Sequence, residues 1–374
     1  MFCRYFENAV CRSCSWLDRP YIDTIQRKVE VLKQLFPEAE VLAPMGQQQA
    51  NGSRIRAKLA VFDVDGSVRF GFLDTEQRIV PVEDCPLHHP AINELVRWLP
   101  EIVDQCRLTP YSMTSDRGEL KFVVITYSPT HQQMMVQLVL RSQEAVERLK
   151  KMWRTSDELR QRVTVFSANV QPVRSSTIQG LLEIPISEQT EIAVRYGTTE
   201  IFYRPLSFIQ TNYQIAEQLY QASANAVHEN RESILDLYCG TGAFSLTAAC
   251  AETKVSGFDS ASESIDCANK AAQARSMPDA KFFTASQIPR ATLQDEGYGT
   301  IICNPPRRGL DIEIRELLKD VSARQLVYSS CNPETLQRDV RELAANWQLR
   351  TVQTFDMFPF TPHQEVLALL NRRS

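Results

Sequence analysis

From residue 213 onward, short apolar segments of strand length alternate with segments of helical periodicity, and this alternation restricts the fold more than any other feature of the chain. Alternating strands and helices imply a mostly parallel, doubly wound sheet, an α/β fold of the Rossmann type. The loops at the carboxyl ends of its strands then meet at one edge, where ligands bind. The predicted strands lie at 233–239, 255–260, 281–286, 300–306 and 325–331, and the predicted helices at 213–227, 261–274, 312–319 and 334–345.

The residues before 213 mix helices and strands without this alternation, which predicts an α+β architecture. An amphipathic helix is expected at 20–36, and a β-hairpin at 54–73 that turns at Asp65-Gly66. Further helices are expected at 91–106 and 142–154, and further strands at 119–128, 134–140, 162–170 and 190–203. The predicted parts of the chain are a segment at 1–90, a central α+β domain at 40–185 and a Rossmann-like domain at 190–374.

The charge balance limits how the protein can bind nucleic acid. A net charge of -4 and a pI of about 5.9 argue against binding through bulk positive charge, but they leave room for a local basic groove. No apolar run approaches the ~20 residues that a membrane-spanning helix needs, and the N-terminus lacks the apolar core of a signal peptide. We expect a monomeric protein of the cytoplasm with no membrane association.

A glycine turn follows the first strand of the predicted sheet. In Asp236-Leu-Tyr-Cys-Gly-Thr-Gly242, Gly240 and Gly242 let a ligand approach the backbone closely at the start of a helix. The next strand ends in Asp259, whose carboxylate can accept hydrogen bonds from the hydroxyl groups of a ribose. Together these features resemble the S-adenosylmethionine pocket of class I methyltransferases. The alternative is a tight turn beside a solvated carboxylate.

Two more strand ends carry chemistry. Asn304-Pro-Pro-Arg307 follows one strand, and its prolines fix where the asparagine points. Asn-Pro-Pro also occurs in enzymes that methylate exocyclic amines, but there an aromatic residue usually stands in place of Arg307. Cys331 ends the next strand, just before a helix whose N-terminus can lower the pKa of the thiol. A buried structural cysteine is the alternative, and it is the interpretation we prefer for Cys106, Cys250 and Cys267.

A thiolate at the loop edge suggests one reaction in particular. C5 of uracil is a poor nucleophile, and addition of a thiolate to C6 makes C5 electron-rich enough to take a methyl group from a sulfonium. A base must then remove the C5 proton so that the cysteine is expelled. Glu365, at the turn into the last strand, is the candidate base, and His363 is its competitor. A solvated carboxylate is the alternative for Glu365.

Four cysteines outside the Rossmann-like domain have the spacing of a metal site. Cys3, Cys11 and Cys14 form C-x7-C-x2-C, and Cys85 precedes a proline. Three clustered thiols and a remote one resemble the ligands of an iron–sulfur cluster, here of the [4Fe-4S] type, with zinc as the competing metal. Unrelated free cysteines are the remaining alternative.

Taken together, the motifs resemble the bacterial RNA uracil-C5 methyltransferases over essentially the whole chain. Phe208-Ile-Gln210-Thr-Asn212 matches the F-x-Q-x-N signature of that family, and the motifs described above follow in the same order. The resemblance implies a set of cofactor contacts and a catalytic pair. Asp259 stands where relatives usually carry Glu, which shortens its reach toward the ribose. The implied cofactor contacts are Gln210, Tyr238, Gly240, Gly242, Asp259 and Asn304, and the implied catalytic pair is the nucleophile Cys331 with the base Glu365.

Within this family the closest match is the short branch that acts on 23S ribosomal RNA at a U747-type uridine. It shares the cysteine cluster that starts at residue 3, the lack of an extra N-terminal β-barrel, Asn-Pro-Pro rather than Asp-Pro-Pro, and Phe355-Asp-Met-Phe-Pro359. The transfer RNA branch lacks the cysteine cluster. A different site in 23S rRNA, or a tRNA, is the alternative substrate.

The target base must leave its stack to meet the thiol, so we expect a uridine in a loop or a single strand. The predicted strand that starts at Arg54 places Arg54, Arg56 and Lys58 on one face, which offers a row of positive charges for RNA phosphates. A solvated surface is the alternative. Two rival functions remain, an amino-group methyltransferase that uses Asn304 and a metal-bearing RNA-binding module without catalysis. The candidate RNA contacts are Arg54, Arg56, Lys58, Phe208, Asn212 and Arg307.

Overall fold

The computed structural model describes residues 1–74, 79–174, 177–227, 233–285 and 297–373. The chain divides into two compact units. The three-part division expected from the sequence stays a prediction. The first unit consists of Met1–Arg12, Gln49–Val194 and Tyr203–Thr211, and the second of Ser13–Gln48, Arg195–Phe202 and Asn212–Ser374.

The described helices and strands are numbered in chain order. The helices are α1 (Arg4–Glu7), α2 (Tyr21–Leu35), α3 (Pro90–Gln105), α4 (Val146–Thr155), α5 (Asp157–Arg162), α6 (Tyr213–Val227), α7 (Ala243–Ala248), α8 (Ser262–Ala274), α9 (Ile312–Asp320) and α10 (Pro333–Leu343). The strands are β1 (Glu40–Val41), β2 (Arg56–Val64), β3 (Ser67–Leu73), β4 (Ile79–Pro81), β5 (Leu120–Ser128), β6 (Gln133–Leu140), β7 (Val165–Val170), β8 (Leu182–Pro185), β9 (Ile192–Tyr196), β10 (Thr199–Tyr203), β11 (Ser233–Leu237), β12 (Lys254–Asp259), β13 (Ala280–Thr284), β14 (Thr300–Cys303), β15 (Gln325–Ser330), β16 (Trp347–Phe355) and β17 (Glu365–Arg372).

The first unit contains a seven-stranded sheet in the order β4-β3-β2-β5-β6-β7-β8. Its neighbours are antiparallel except for the parallel pair β6 and β7. The hairpin of β2 and β3 turns at Asp65 and Gly66, as the sequence predicts, and both have positive φ (52° and 79°). Alternate residues of β2, namely Ala57, Leu59 and Val61, contribute to a core shared with α3 and α4.

One predicted strand is divided in two. The sequence suggests a single strand-like run at 190–203, but β9 and β10 form a two-stranded sheet of their own. The chain reverses at Gly197, whose φ of 56° is a left-handed conformation that glycine adopts without strain. The prediction of one continuous strand was therefore wrong, because the turn residue lies within the apolar run.

The second unit contains an eight-stranded sheet in the order β1-β16-β17-β15-β14-β11-β12-β13. The pairs from β15 to β13 are parallel, as the alternation of strands and helices predicts, whereas β17 is antiparallel to both of its neighbours. One face forms a core with α2, α9 and α10, and α6, α7 and α8 also pack on this sheet. In the part of the chain that is described, no helix is both long and apolar enough to cross a lipid bilayer.

Candidate active site

The glycine turn lies at the carboxyl end of β11 and opens α7. Gly240 and Gly242 have φ values of 52° and 75°, which strongly favour glycine. Among the described residues, a Cβ atom added to Gly240 would meet nothing within 4 Å, whereas one added to Gly242 would lie 3.0 Å from the Phe282 ring. The backbone at Gly240 can therefore be approached by a ligand, and Gly242 is needed because the Phe282 ring packs against the turn.

Asp259 ends β12 beside this turn. Its Oδ2 accepts a hydrogen bond from the Gly240 amide at 2.9 Å, and its Oδ1 accepts one from the Ala261 amide at 2.9 Å. Each carboxylate oxygen keeps a further lone pair. The carboxylate is thus held by the backbone and can still accept hydrogen bonds from ligand hydroxyl groups.

A second carboxylate lies under the turn. Asp236 is 1% exposed, and burial raises its pKa to about 7. The neighbouring Ser245 favours the ionised form, but neither Asp236 oxygen has a hydrogen-bond partner at ordinary geometry within the described residues. A buried carboxyl group without a partner is costly unless a ligand supplies a donor or a positive charge. The turn therefore fits a nucleoside that carries a cationic group, as S-adenosylmethionine does.

The buried Asp339 carboxylate holds together the elements around the third strand end. Its Oδ2 accepts hydrogen bonds from the Leu310 amide at 2.8 Å and from the Tyr328 hydroxyl at 2.7 Å. Its Oδ1 accepts one from Arg315 at 3.0 Å. A single side chain of α10 thus links β15, α9 and the loop that starts at Asn304.

The loop that contains Asn304 and Arg307 is also fixed from the N-terminus of α10. The side chains of Asn332 and Thr335 donate to the carbonyl oxygen of Arg307 at 3.4 Å and 3.2 Å. From the other side, the Tyr238 hydroxyl of the glycine turn donates to Asp311 at 3.2 Å. The loop is therefore positioned between the glycine turn and the residues around Cys331.

Cys331 lies between β15 and α10 and is half-buried. Asn332 caps α10 by accepting a hydrogen bond from the Glu334 amide at 3.1 Å. The last residue pair of the antiparallel strands β15 and β17 is Ser330 with Val366. Continuing that register by one residue sets Cys331 opposite Glu365.

Glu365 begins β17 and is 2% exposed. The Ser329 hydroxyl, itself 0% exposed, donates a hydrogen bond to its Oε1 at 2.6 Å. Burial raises the pKa of Glu365 to about 7, and the Ser329 hydrogen bond opposes that rise. A carboxylate of this kind can gain or lose a proton near neutral pH, as a general base must.

The environment of the Cys331 thiol differs from the expectation for a helix N-terminus. Burial raises its pKa, and the Glu365 carboxylate adds to the rise. The Arg307 guanidinium acts in the opposite direction. The lowering of the thiol pKa that was expected from the N-terminus of α10 is therefore outweighed. Arg307 is the side chain that favours the thiolate.

The F-x-Q-x-N signature crosses from one unit to the other. Phe208 is 64% exposed and Gln210 is 3% exposed, and both belong to the first unit. Asn212 belongs to the second, where its Oδ1 accepts the Ile215 amide at the start of α6 and its amide group donates to Gln47 at 3.0 Å. The cofactor contact of Gln210 and the RNA contact of Phe208 stay predictions, and Asn212 has a structural role as a helix cap.

The cations expected to contact RNA have different surroundings. Arg56 is 8% exposed, and its guanidinium donates to the carbonyl oxygens of Ser207 at 2.7 Å and Pro205 at 3.1 Å. Its positive charge is therefore used within the first unit. Lys58 is exposed and Arg54 is half-buried, so these two are better placed than Arg56 for a phosphate.

The four cysteines of the predicted cluster are half-buried. Cys3 and Cys85 are near each other, since the side chains of Arg4 and Tyr5 both bond to Asp84. The pKa of Cys85 is raised mainly by burial, and the charge interaction with Cys3 contributes in the same direction. Throughout the described ranges, however, no three or more His, Cys, Asp or Glu side chains form a group that could hold a metal ion. The structure therefore brings two of the four predicted ligands near each other, and the [4Fe-4S] cluster stays a prediction.

Comparison with known proteins assigns the family. The family model described as "tRNA (Uracil-5-)-methyltransferase" matches residues 20–373. The chain belongs to this family. Two curated relatives are named 23S rRNA (uracil(747)-C(5))-methyltransferase RlmC. The one from Yersinia enterocolitica is 34% identical over 99% of both chains, and the one from Xenorhabdus nematophila is 34% identical over 99% of both. The predicted family is confirmed, and with it the class of enzyme, an S-adenosylmethionine-dependent uracil-C5 methyltransferase.

A solved structure supports the same assignment. The tRNA (uracil-54, C5)-methyltransferase of Pyrococcus abyssi, in complex with S-adenosyl-L-homocysteine, is 28% identical to this uracil-5 methyltransferase with a TM-score of 0.79. The match covers 96% of this chain and 85% of that one. The α/β fold expected for a methyltransferase is confirmed.

Sequence reasoning missed two residues of the site. Ser329 stands two positions before Cys331, so the period of a strand already puts both on one face. Asp339 lies three residues after Leu336 and four before Leu343, at helical spacing on the buried face of α10. A charged residue at such a position is a sign of a buried hydrogen-bonding role.

Proposed function

We propose that this enzyme methylates C5 of a uridine in 23S ribosomal RNA, with Cys331 as the covalent nucleophile and Glu365 as the general base. The observation that supports the pair most strongly is the register of β15 and β17, in which a half-buried thiol stands opposite a buried carboxylate of raised pKa. The names of the curated relatives support the ribosomal substrate. Within 23S rRNA, a U747-type uridine is the target that we favour. The enzyme then acts in the cytoplasm, as a monomer.

The cofactor site is proposed at the glycine turn, where S-adenosylmethionine supplies an electrophilic methyl group on a sulfonium. Gly240 allows close approach, and Asp259 accepts hydrogen bonds from the ribose. The unpartnered Asp236 carboxylate favours the positive charge of the ligand. The further contacts proposed by resemblance are those of Gln210, Tyr238, Gly242 and Asn304.

The covalent steps are assigned to residues of the second unit. The Cys331 sulfur forms a bond to C6 of the uracil, and the ring electrons move toward C5 and O4. Arg307 favours the thiolate needed for this attack. After the methyl group is on C5, Glu365 takes the C5 proton, the pair re-forms the C5–C6 double bond, and the C6–S bond breaks with its electrons returning to sulfur.

The decisive experiment uses RNA in which the target uridine is 5-fluorouridine. Fluorine does not leave as a proton does, so turnover stops after methylation and the Cys331–C6 bond persists. We expect wild-type enzyme with S-adenosylmethionine to form a complex that is stable in denaturant, and Cys331→Ser to form none. Mass spectrometry of the digested complex should find the adduct on the peptide that contains Cys331.

The matched control is Cys250→Ser, which alters a cysteine hydrogen-bonded to Thr253 and outside the proposed chemistry. It should trap RNA as the wild type does. Full methylation by Cys331→Ser would overturn the mechanism and favour methylation of an exocyclic amine through Asn304. Equal trapping of a tRNA fragment and of a 23S rRNA fragment would overturn the ribosomal assignment.

A [4Fe-4S] cluster held by Cys3, Cys11, Cys14 and Cys85 is part of the proposal. It is supported by the C-x7-C-x2-C spacing and by the proximity of Cys3 to Cys85. Four protein thiolates leave no iron open to substrate, so the role we assign to the cluster is to stabilise the fold or to position the RNA. Protein purified without oxygen should contain four iron and four sulfide per chain, with Cys85→Ser losing them and Cys250→Ser keeping them. Zinc at one equivalent would instead identify the competing metal.

A further inference from the structure

A buried hydrogen bond joins Ser329 to Glu365 beside Cys331. Ser329 is paired with Leu367 in the β15–β17 ladder, so Glu365 is its diagonal neighbour, two residues away on the same face. Cys331 lies on that face as well, because alternate residues of a strand point the same way. On one face of the sheet, the hydroxyl of Ser329 and the thiol of Cys331 thus lie next to the carboxylate of Glu365 on the neighbouring strand.

We propose that Ser329 is a positioning residue that orients Glu365 for removal of the C5 proton, an inference that rests on the proposed function. Its hydroxyl donates to Oε1 at 2.6 Å. Among the described residues no other hydrogen bond reaches this carboxylate, so Oε2 is the oxygen left to take a proton. A base oriented by a third group repeats the logic of catalytic triads.

The hydrogen bond also stabilises the ionised form of the base. Glu365 is 2% exposed and Ser329 is 0% exposed, so water does not share this contact. Loss of a hydrogen bond to a buried charged group favours the protonated acid. In Ser329→Ala, the pH at which Glu365 becomes ionised should rise by about one unit.

The test compares the wild type, Ser329→Ala and Ser329→Thr in two pH profiles between pH 5.5 and 9 and in one trapping experiment at pH 8.5. In the first, release of tritium from [5-³H]uridine RNA reports proton removal. Ser329→Ala should move the acidic limb up by about one pH unit, and Ser329→Thr, which keeps a hydroxyl, should restore it. The rate of covalent complex formation with 5-fluorouridine RNA at pH 8.5 should change less than twofold, because no proton is removed in that step.

The second measurement needs neither RNA nor cofactor. Alkylation of Cys331 by iodoacetamide, followed on its own peptide, should show a lower inflection where Glu365 ionises, because this carboxylate raises the pKa of the thiol. That inflection should move upward in Ser329→Ala. If wild-type enzyme traps no fluorinated RNA but the inflection still moves, the proposed function fails while the Ser329–Glu365 coupling stands.

The control for loss of a buried hydroxyl is Ser223→Ala in α6, whose hydroxyl has no partner within the described residues. It should leave both profiles unchanged. The proposal is overturned if Ser329→Ala keeps the wild-type pH profiles. It is equally overturned if Ser329→Ala lowers tritium release by one factor at every pH and lowers trapping at pH 8.5 by that same factor, since that pattern indicates a structural role alone.

Discussion

Glu365, the proposed general base, carries an energetic cost in the folded protein. Burial raises its pKa from 4.5 to about 7, so between these pH values the folded state holds a proton that the unfolded state has released. The carboxyl group therefore lowers the stability of the protein progressively as pH rises from about 4.5 to 7, and the loss remains at higher pH. The same ionisation makes the group a base, so activity should rise over the upper part of that range.

We predict that Glu365→Gln stabilises the protein while it removes turnover. At pH 8 the gain should be about 3 kcal/mol, because the amide removes a buried charge and its oxygen still accepts from Ser329. At pH 4.5 the gain should nearly vanish. Proton release should fall by at least about 100-fold, while the Cys331 adduct with unmodified RNA accumulates. Urea unfolding at both pH values and tritium release measure the two effects.

The exposed Glu38→Gln provides the matched control and should change neither quantity. Full turnover by Glu365→Gln would assign the base to another residue, and His363 is the first to examine. Burial, Arg307 and Lys28 lower the pKa of His363, so that side chain is neutral and able to accept a proton at pH 7.

At the scale of elements, the sequence predicted what depends on periodicity. The helix predicted at 213–227 coincides with α6. The strands that carry Asp236 and Asp259, and the strand that ends just before Cys331, end near the predicted positions. The antiparallel direction of β17 was not predicted, because an apolar strand does not encode the direction of its neighbour. The pairing of Cys331 with Glu365 depends on that direction, so motifs could suggest both residues but not their register.

Short elements were also missed. The strands β1 and β4 have two and three residues, too few for alternation to be visible. The helix α1 has four residues and buries none of them. Such segments are set by hydrogen bonds to a neighbour, as in the pairing of β1 with β16, and not by their own sequence pattern.

We predict that Asp339→Asn loosens the loop of Asn304 and destabilises the second unit. The amide loses the negative charge that pairs with buried Arg315 and turns an NH₂ group toward donors. Breaking one partner of such a buried pair costs about 3 kcal/mol or more. The exposed Asp320→Asn on α9 should change the free energy of unfolding by less than about 0.5 kcal/mol. Equal urea midpoints for both variants would contradict the assigned role of Asp339.

At the scale of the whole molecule, the amino-acid composition and the sequence motifs lead to different expectations about RNA binding. A net charge of -4 would argue against an RNA-binding protein, whereas the family and the motifs identify an RNA-modifying enzyme. Shape and a flipped base can supply recognition where bulk charge does not. The sequence motifs were therefore a better guide to function than composition, because they report on the few residues that we propose to contact the base and the cofactor.

The acidic composition leads to a prediction about salt. RNA binding should release few counterions, because the Arg56 guanidinium already donates to carbonyl oxygens within the first unit. The cations that we assign to RNA phosphates are Arg54, Lys58 and Arg307. For a single-stranded RNA, three such contacts give a slope of about −2 in a plot of log K against log salt concentration. Fluorescence anisotropy with a 23S rRNA fragment between 50 mM and 300 mM salt measures this slope. Lys58→Ala should reduce its magnitude by about 0.7, whereas a wild-type slope steeper than about −5 would require a basic surface beyond these residues.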